Sequence, residues 1–222
     1  MAGNLWSCDR KTDKIYQHTG GTASITTSFA GPGTSLRGLA YDGTNLWSNQ
    51  YTLTLIFKHS GLTSTISTSF AGPGTNGNMG LTWDGANLWS CDAESDKIYQ
   101  HTGGTADITT SFAAPSTLVS GLTWAGDDLW STDYGKDTIY HHTGGTSTVS
   151  ATFASPSGVP FGLAYDGANL WSCDYTDNKI YKHTGLTSAI TTSFAGGGTH
   201  STGLTWETAA AVTTFTPFII LA

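Results

Sequence analysis

Charged residues are scarce in this 222-residue chain: Asp, Glu, Lys and Arg together make up 11% of it. Globular domains usually carry about 25%. Ser, Thr and Gly fill the polar positions instead, a composition more typical of secreted or cell-surface β proteins than of cytosolic enzymes. The nine Lys and Arg are spread along the chain, and the formal net charge is −7. A nucleic-acid partner would require a basic stripe, so the composition argues against one.

Long hydrophobic runs are also missing. No stretch approaches the ~20 apolar residues of a membrane-spanning helix, so we expect no membrane span. A secretory signal peptide is not recognisable either, because Met1-Ala2-Gly3 runs directly into a predicted strand. The chain is then a mature form, an excised fragment or a cytosolic protein. The compartment stays unknown, although the composition favours an extracellular or cell-surface location.

Cysteine is limited to Cys8, Cys91 and Cys173, each of which directly follows a Leu-Trp-Ser sequence. A disulfide needs a Cα separation of about 5.5–6 Å, which equivalent positions of different repeats do not readily reach. We therefore predict three small buried thiols and neither a disulfide nor a structural zinc site.

What the chain has in abundance is a repeat of about 41 residues. Four marker series share this period: a Leu-Trp-Ser sequence, a second aromatic position, an Ile-aromatic pair and a closing phenylalanine. The tryptophans of the first series are Trp6, Trp47, Trp89, Trp130 and Trp171. A fixed period of roughly 40–45 residues is typical of propeller blades or of helix-pair solenoids.

Local chemistry favours strands over helices. Segments such as residues 25–29, Ile-Thr-Thr-Ser-Phe, are rich in β-branched and aromatic residues, which suit a pleated strand. Gly and Pro recur every 8–12 residues or so, and Asp-Gly pairs supply the positive φ of tight hairpins. Each repeat therefore holds about four strands. We name them A (Gly-Leu-Thr-Trp), B (Asn-Leu-Trp-Ser), C (Lys-Ile-Tyr-Gln-His) and D (Ile-Thr-Thr-Ser-Phe).

The two ends of the chain complete each other. The N-terminal unit has strands B, C and D without an A, and residues 203–206 form an A with nothing after it. Pairing them closes a ring and removes two open sheet edges. The prediction is an all-β, five-bladed β-propeller of four-stranded antiparallel blades at 1–206, with an apolar non-repeat tail at 207–222. The predicted blades are 203–206 plus 4–34, 38–75, 80–117, 121–158 and 162–199. We expect tail residues 212–222 to dock on the ring or to mediate self-association.

The unit Gly-Leu-Ala-Tyr-Asp-Gly-Thr-Asn-Leu-Trp-Ser at 38–48, followed by the Lys-Ile-Tyr-Lys-His-Thr-Gly form at 179–185, resembles blades of NHL, streptogramin-lyase-like and YVTN-type propellers. The resemblance covers residues 4–206. It implies the fold but no particular activity, because such propellers include lyases, ligand binders and scaffolds. The chain is also similar to five-bladed glutamine cyclotransferases, which rely on glutamates in a central pocket. Here Glu94 and Glu207 each occur in one blade, so that role does not carry over. A streptogramin-type lyase needs a catalytic His and Glu with a metal, and the sequence shows no such asymmetric pair.

Aspartates in the B–C loops are the first candidate site. Each of them has a second carboxylate three or four residues further on, at Asp13, Asp96, Asp137 and Asp177, and Glu94 lies in the same loop of the third blade. Calcium, which takes six to eight oxygen ligands, is one explanation. The other is that short Asp side chains cap turns by accepting backbone N–H bonds. We predict no cofactor and keep calcium as the alternative. The loop aspartates are Asp9, Asp92, Asp133 and Asp174.

A histidine ends strand C in every repeat. Five-fold symmetry spreads these residues around the ring, whereas a metal needs several ligands at ~2 Å from one ion. We therefore predict packing between blades or a hydrogen bond to the following turn. The series is His18, His59, His101, His142 and His183.

Aromatic residues supply the remaining candidates. Trp83, Trp124 and Trp206, with Tyr41 and Tyr165, end the innermost strand, where they pack in the core or stack a sugar at the channel mouth. The second group lies where the B–C and D–A loops meet on one face, here named the loop face, and where residues vary most between blades. Its variable residues are Tyr51, Tyr134, Tyr175, Arg10, Glu94, Arg37, Asn76, Asn78, Met79 and His200.

Near-identical blades offer one chemical group five times, whereas an enzyme needs different groups that converge on a point. We therefore expect a non-enzymatic binding or interaction module with repeated, near-equivalent loop-face sites for a glycan or a protein. One alternative is a recently amplified scaffold with no evolved ligand. The other is a propeller enzyme of the lyase or cyclotransferase kind.

Overall fold

A computed structural model describes residues 3–74 and 77–208, which form the predicted all-β, five-bladed propeller. Each blade is a four-stranded antiparallel sheet in the order A–B–C–D. Blade one consists of β20 (Ser201–Thr208), β1 (Gly3–Asp9), β2 (Lys14–His18) and β3 (Ile25–Ala30). Blade two consists of β4 (Leu36–Tyr41), β5 (Leu46–Gln50), β6 (Leu55–His59) and β7 (Ile66–Ala71).

The other three blades follow in chain order. Blade three consists of β8 (Asn78–Trp83), β9 (Leu88–Asp92), β10 (Lys97–His101) and β11 (Ile108–Ala113). Blade four consists of β12 (Val119–Ala125), β13 (Asp128–Asp133), β14 (Thr138–His142) and β15 (Val149–Ala154). Blade five consists of β16 (Pro160–Tyr165), β17 (Leu170–Asp174), β18 (Lys179–His183) and β19 (Ile190–Ala195). Two short 3-10 turns lie at Thr19–Gly21 and Thr102–Gly104, and within the described ranges no helix is long and apolar enough to cross a bilayer.

The ring closes as predicted, because β20 pairs antiparallel with β1. Leu5 lies opposite Trp206, and Trp6 lies opposite Thr205. The strand continues through Thr208, so Glu207 belongs to the sheet. Tail residues from 209 onward, among them the expected association segment 212–222, lie outside the described residues, as does Asn76.

Glu207 fastens the closing strand to the start of the chain. Its Oε2 accepts hydrogen bonds from Trp6 Nε1 at 2.9 Å, Gln17 Nε2 at 2.8 Å and Asn4 Nδ2 at 3.3 Å. In blade three an aspartate of the Asp-Gly turn accepts the equivalent hydrogen bond: Trp89 Nε1 donates to Asp84 Oδ2 at 2.7 Å. Glu207 therefore has a structural role, and it joins segments about 200 residues apart in sequence.

Removing this carboxylate should weaken the closure of the ring. We expect Glu207→Ala to lower the free energy of unfolding by about 2 kcal/mol, because three donors lose a charged acceptor in a half-buried site. Urea denaturation checks the value. The exposed Asp107→Ala on a blade's outer turn is the control and should change stability by no more than about 0.5 kcal/mol. Equal effects of the two variants would contradict the closing role of Glu207.

The strand-C histidines pack between blades and bond to the following turn, which confirms the sequence prediction. His101 Nδ1 lies 3.0 Å from the Thr105 carbonyl, and its ring lies 5.4 Å from Phe70 of the preceding blade. A carbonyl only accepts, so Nδ1 carries the proton and Nε2 accepts from the Ser90 hydroxyl at 2.8 Å. All five Ser–His pairs are fully buried. They have the geometry of a nucleophile and its base, and the fold encloses every one of them.

Five glycines bring the A strands together around the axis. A Cβ on Gly80 would lie 2.7 Å from the backbone nitrogen of Leu122, and one on Gly162 would lie 2.7 Å from that of Leu204. Glycine is required here because neighbouring backbones approach too closely for any side chain. The ring of glycines consists of Gly38, Gly80, Gly121, Gly162 and Gly203.

The cysteines are free and buried, as predicted, and their position has a role that the sequence did not reveal. The A–B register shifts near each ring glycine, as between Asn78 and Leu81 in blade three. The Gly80 N–H then donates to Cys91 Sγ at 3.1 Å. Asn49 Oδ1 and Thr132 Oγ1 accept the same bond at 2.7 Å in blades two and four. The position therefore requires a small acceptor, which three different residue types supply.

Candidate functional site

The loop face gathers its variable residues on the axis because each B–C loop bonds to the D–A loop beside it. Tyr51 N–H donates to the Ser35 carbonyl at 3.2 Å, and Tyr175 N–H donates to that of Val159 at 3.0 Å. The residue after strand B thereby lies over the centre of the ring. This position is held in turn by Arg10, Tyr51, Ala93, Tyr134 and Tyr175.

A cavity of about 240 Å³ opens at this point, and we name it the axial cavity. Its wall contains three of the predicted site residues, Tyr51, Tyr134 and Tyr175. The strand-A residues that directly precede the ring glycines supply part of its floor, and they also differ from blade to blade. The other residues that line the cavity are Arg10, Arg37, Met79, Val159 and Phe161. A second cavity of about 380 Å³ adjoins it, lined by Arg10, Lys11, Tyr175 and His200.

Arg37 is the most unusual group of the axial cavity, because its side chain is only 5% exposed. The guanidinium carbon lies 5.0 Å from the ring centre of Tyr51 and 4.9 Å from that of Phe161. These distances are typical of cation–π contacts. Burial, helped by the charge of Arg10, lowers the pKa of Arg37 to about 10, so the group is still charged at neutral pH.

Stacked aromatic rings form the rest of the wall. Tyr134 lies nearly parallel to Phe161, with ring centres 5.1 Å apart, and Tyr175 lies 5.2 Å from Phe161. Arg10 Nη1 donates to Tyr175 Oη at 3.1 Å. Burial raises the pKa of Tyr134, so its phenol is a neutral donor at physiological pH. The cavity therefore combines apolar surface with cationic and hydroxyl donors.

The B–C aspartates lie beneath the loops, where they are almost fully buried. Asp9 Oδ1 accepts from Lys11 N at 3.0 Å and Thr12 N at 2.7 Å, and Asp92 Oδ1 accepts from Ser95 N at 2.7 Å. Burial alone would raise the pKa of Asp9, but the backbone N–H groups of His200 and Thr12 hold it below the usual value. Burial dominates at Asp133 and raises its pKa. These contacts are those of turn caps.

In blades one, three and four, the second carboxylate of the loop adopts a left-handed backbone conformation. Asp13 and Asp96 adopt left-handed conformations with φ of 53° and 52°, and Asp96 Oδ1 accepts from Leu118 N at 3.0 Å. Asn178 holds this place in blade five, with φ of 50°. In residues 3–74 and 77–208, no group of three or more His, Cys, Asp or Glu side chains could hold a metal ion. Glu94 is exposed in its loop.

The strand-A aromatics lie at the opposite end of the axis. Trp83, Trp124 and Trp206, with Tyr41 and Tyr165, line a cavity of about 100 Å³. They also pack in the core, since Trp206 stacks on Trp171 at 5.8 Å and Trp83 on Trp47 at 6.4 Å. These contacts are those of core packing, and the stacking of a sugar on the same residues stays a prediction. The ring of glycines separates this cavity from the loop face, so the eleven predicted site residues do not form one site.

Sequence reasoning missed Phe161 and Val159, although it named Arg10, Arg37, Met79 and the three tyrosines. The signal was present in the triplet before each Gly-Leu, which reads Ser-Leu-Arg at 35–37 and Val-Pro-Phe at 159–161. This triplet changes in every blade while the rest of strand A hardly changes. It marks the positions that face the axis at the loop end.

No protein-family model and no curated protein sequence matches the chain. Many solved structures do. A chain of a nidogen/laminin complex is 15% identical with a TM-score of 0.68, covering 93% of this chain and 99% of its own. Glutaminyl cyclase of Myxococcus xanthus is 17% identical with a TM-score of 0.62, covering 72% and 76%. A streptogramin B lyase is 21% identical with a TM-score of 0.55, covering 88% and 66%. The likeness is one of fold. It confirms the propeller resemblance seen in the repeats.

Proposed function

We propose that this propeller is a non-enzymatic binding module whose ligand, a glycan, occupies the axial cavity of the loop face. The supporting observation is that the positions at which otherwise near-identical blades differ converge on this one cavity. Variation confined to a surface on a rigid frame is typical of binding sites. A concave site with aromatic walls and a few oriented polar groups is the usual form of a small-ligand site.

A site in the axial cavity means one binding site per chain, where the repeats alone predict several. Equivalent loops predict several near-identical sites around the ring, but their aspartates cap turns and are almost fully buried. The axial cavity lies on the axis itself and is asymmetric, with arginine contributed by blades one and two and tyrosine by blades two, four and five. We therefore propose one ligand per chain.

A glycan array followed by calorimetry on the bound glycan tests this proposal. We expect saturable binding with a stoichiometry near one, and a loss of affinity of at least about 30-fold when Tyr134→Ala and Tyr175→Ala are combined, as for an aromatic hot spot. Tyr41→Ala at the opposite cavity is the matched control and should leave affinity unchanged. An array without a saturable ligand, several equivalent sites per chain, or an unaffected double variant would contradict the proposal.

A protein ligand is the second candidate. The fold likeness to a chain of the nidogen/laminin complex, over 93% of this chain, favours it. Displayed peptides selected on the wild-type chain and counter-selected on the double tyrosine variant test it. Enrichment of peptides that need both tyrosines supports a protein ligand, and a selection without such enrichment contradicts it.

A further inference from the structure

Arg37 is a buried cation without an anionic partner among the described residues. Neither its Nε nor its Nη1, both shielded from solvent, has a hydrogen-bond partner within residues 3–74 and 77–208. The ion pairs in this part of the chain join Lys58 to Asp42, His141 to Asp128 and Lys182 to Asp166, so Arg37 belongs to none of them. A buried charge without a partner destabilises a fold, and an unsatisfied buried donor in a native structure requires an explanation.

Other cations gather around the same cavity. Arg10 and Arg37 are the two arginines of the sequence, and both line the axial cavity although the chain has a net charge of −7. Lys11 and His200 line the adjoining cavity together with Arg10. Positive charge is thus concentrated where the B–C loop of blade one meets the axis, and this arrangement attracts an anion.

The chemistry of the guanidinium narrows the type of anion. Its planar fork of N–H donors matches the paired oxygens of a carboxylate or a phosphate, and the carboxylate is the smaller of the two. The rings of Tyr51 and Phe161 hold Arg37 between them, and Tyr134 and Tyr175 continue the aromatic wall. A volume of about 240 Å³ lies below the ~300–1,000 Å³ of drug-sized sites, so the ligand is small.

We propose that the axial cavity binds a small carboxylate carried on a six-membered ring, with the carboxylate at Arg37 and Arg10 and the ring against Tyr134 and Tyr175. This inference rests on the proposed function, because it names the chemical class of ligand for the same cavity. An acidic sugar carries this group and agrees with the glycan of the proposed function, an aromatic acid carries it without being a glycan, and the experiment separates the two.

Arg37→Met is the variant that tests the role of the charge. Met79 occupies the equivalent strand-A position in the next blade, so this fold already accommodates methionine there. Without ligand, we expect Arg37→Met to raise the melting temperature by about 2–4 °C or more, because an unpaired buried charge is removed. Arg37→Lys keeps the charge but loses the fork, and its affinity for the ligand should lie between those of the wild type and Arg37→Met.

Binding is measured by calorimetry and thermal shift with two acids and their neutral counterparts: glucuronate against glucose, and benzoate against benzyl alcohol. We expect at least one acid to bind saturably and to raise the melting temperature of the wild type. We also expect about 10- to 100-fold weaker binding to Arg37→Met and no comparable binding of the neutral counterpart. Binding of glucuronate alone would identify an acidic sugar, whereas binding of benzoate alone would identify an aromatic acid and contradict the glycan ligand.

Three results would overturn the inference. The first is that neither acid binds, and the second is that an acid and its neutral counterpart bind equally well. The third is a lower melting temperature of ligand-free Arg37→Met, which would show that Arg37 is a structural cation–π contact. A neutral glycan that binds the wild type and Arg37→Met with equal affinity, but does not bind the double tyrosine variant, would contradict the carboxylate ligand and leave the proposed function intact.

Discussion

Replacing Gly80 with alanine should destabilise the propeller by about 3 kcal/mol or more. The added Cβ would lie 2.7 Å from the backbone nitrogen of Leu122 and 2.9 Å from the backbone of Gly121. Overpacking against flexible side chains costs about 1–3 kcal/mol. Here the obstacle is the backbone of the next blade, which is itself fixed by the ring, so the strands cannot separate at one point alone. Urea unfolding with a fitted midpoint measures the loss.

Gly158→Ala is the matched control for this variant. Gly158 lies in the loop before β16, has no positive φ, and a Cβ there would meet no atom within 4 Å. We expect its stability to stay within about 0.5 kcal/mol of the wild type. If Gly80→Ala unfolds at the same urea concentration as Gly158→Ala, the A strands do not meet at the axis as described.

Mild acid should unfold the protein through its buried histidines. Burial lowers the pKa of His18 and of His101 from 6.5 to about 4, although the carbonyls of Thr22 and Thr105 partly oppose the shift. It also lowers the pKa of His59, His142 and His183. The neutral form is therefore favoured in the fold, while the unfolded chain binds protons below about pH 6.5.

The sign of the effect follows from this difference in proton uptake. The histidine contribution to stability is complete above pH 6.5 and is lost as the pH falls toward 4, because the unfolded state then holds more protons. His18 and His101 should each contribute a loss of about 2 kcal/mol at pH 5 and about 3 kcal/mol at pH 4. Domains of ordinary stability have about 5–15 kcal/mol in total, so these two residues alone remove a large part of it.

Urea denaturation at a series of pH values from 8 to 4 checks this prediction. We expect the free energy of unfolding to be level above pH 7 and to fall steeply below pH 6.5. The aspartates of the Asp-Gly turns between strands A and B extend the decline at lower pH, because the pKa values of Asp42, Asp84 and Asp166 lie below the ordinary value when folded. A curve that stays level between pH 7 and pH 5 would show that the strand-C histidines are not buried in neutral form.

The architecture was predictable because several independent marker series share one period. Trp6 and Trp206 could be placed in one sheet from the sequence alone, since the missing A strand of the first unit stands at the other end of the chain. The packing and turn contacts of the strand-C histidines were also predictable, because five-fold symmetry keeps these residues apart from one another. Periodicity therefore carries the information about which strands pair and which faces are buried.

The chemistry of the axis was not predictable to the same degree. Cys91 reads as a small buried residue, but its bond to the Gly80 N–H depends on a register shift that no local pattern signals. Arg37 reads as a variable loop-face residue, and only the fold shows that the aromatic rings of two different blades enclose it. These features arise from residues far apart in sequence, in positions where the repeats differ.

The contact among the five A strands also determines how the molecule can be approached. The ring glycines lie between the two cavities on the axis, so each cavity is lined by its own set of residues. Changes at one mouth can therefore accumulate without any consequence for the other, and the two ends of the cylinder are free to acquire unrelated specificities.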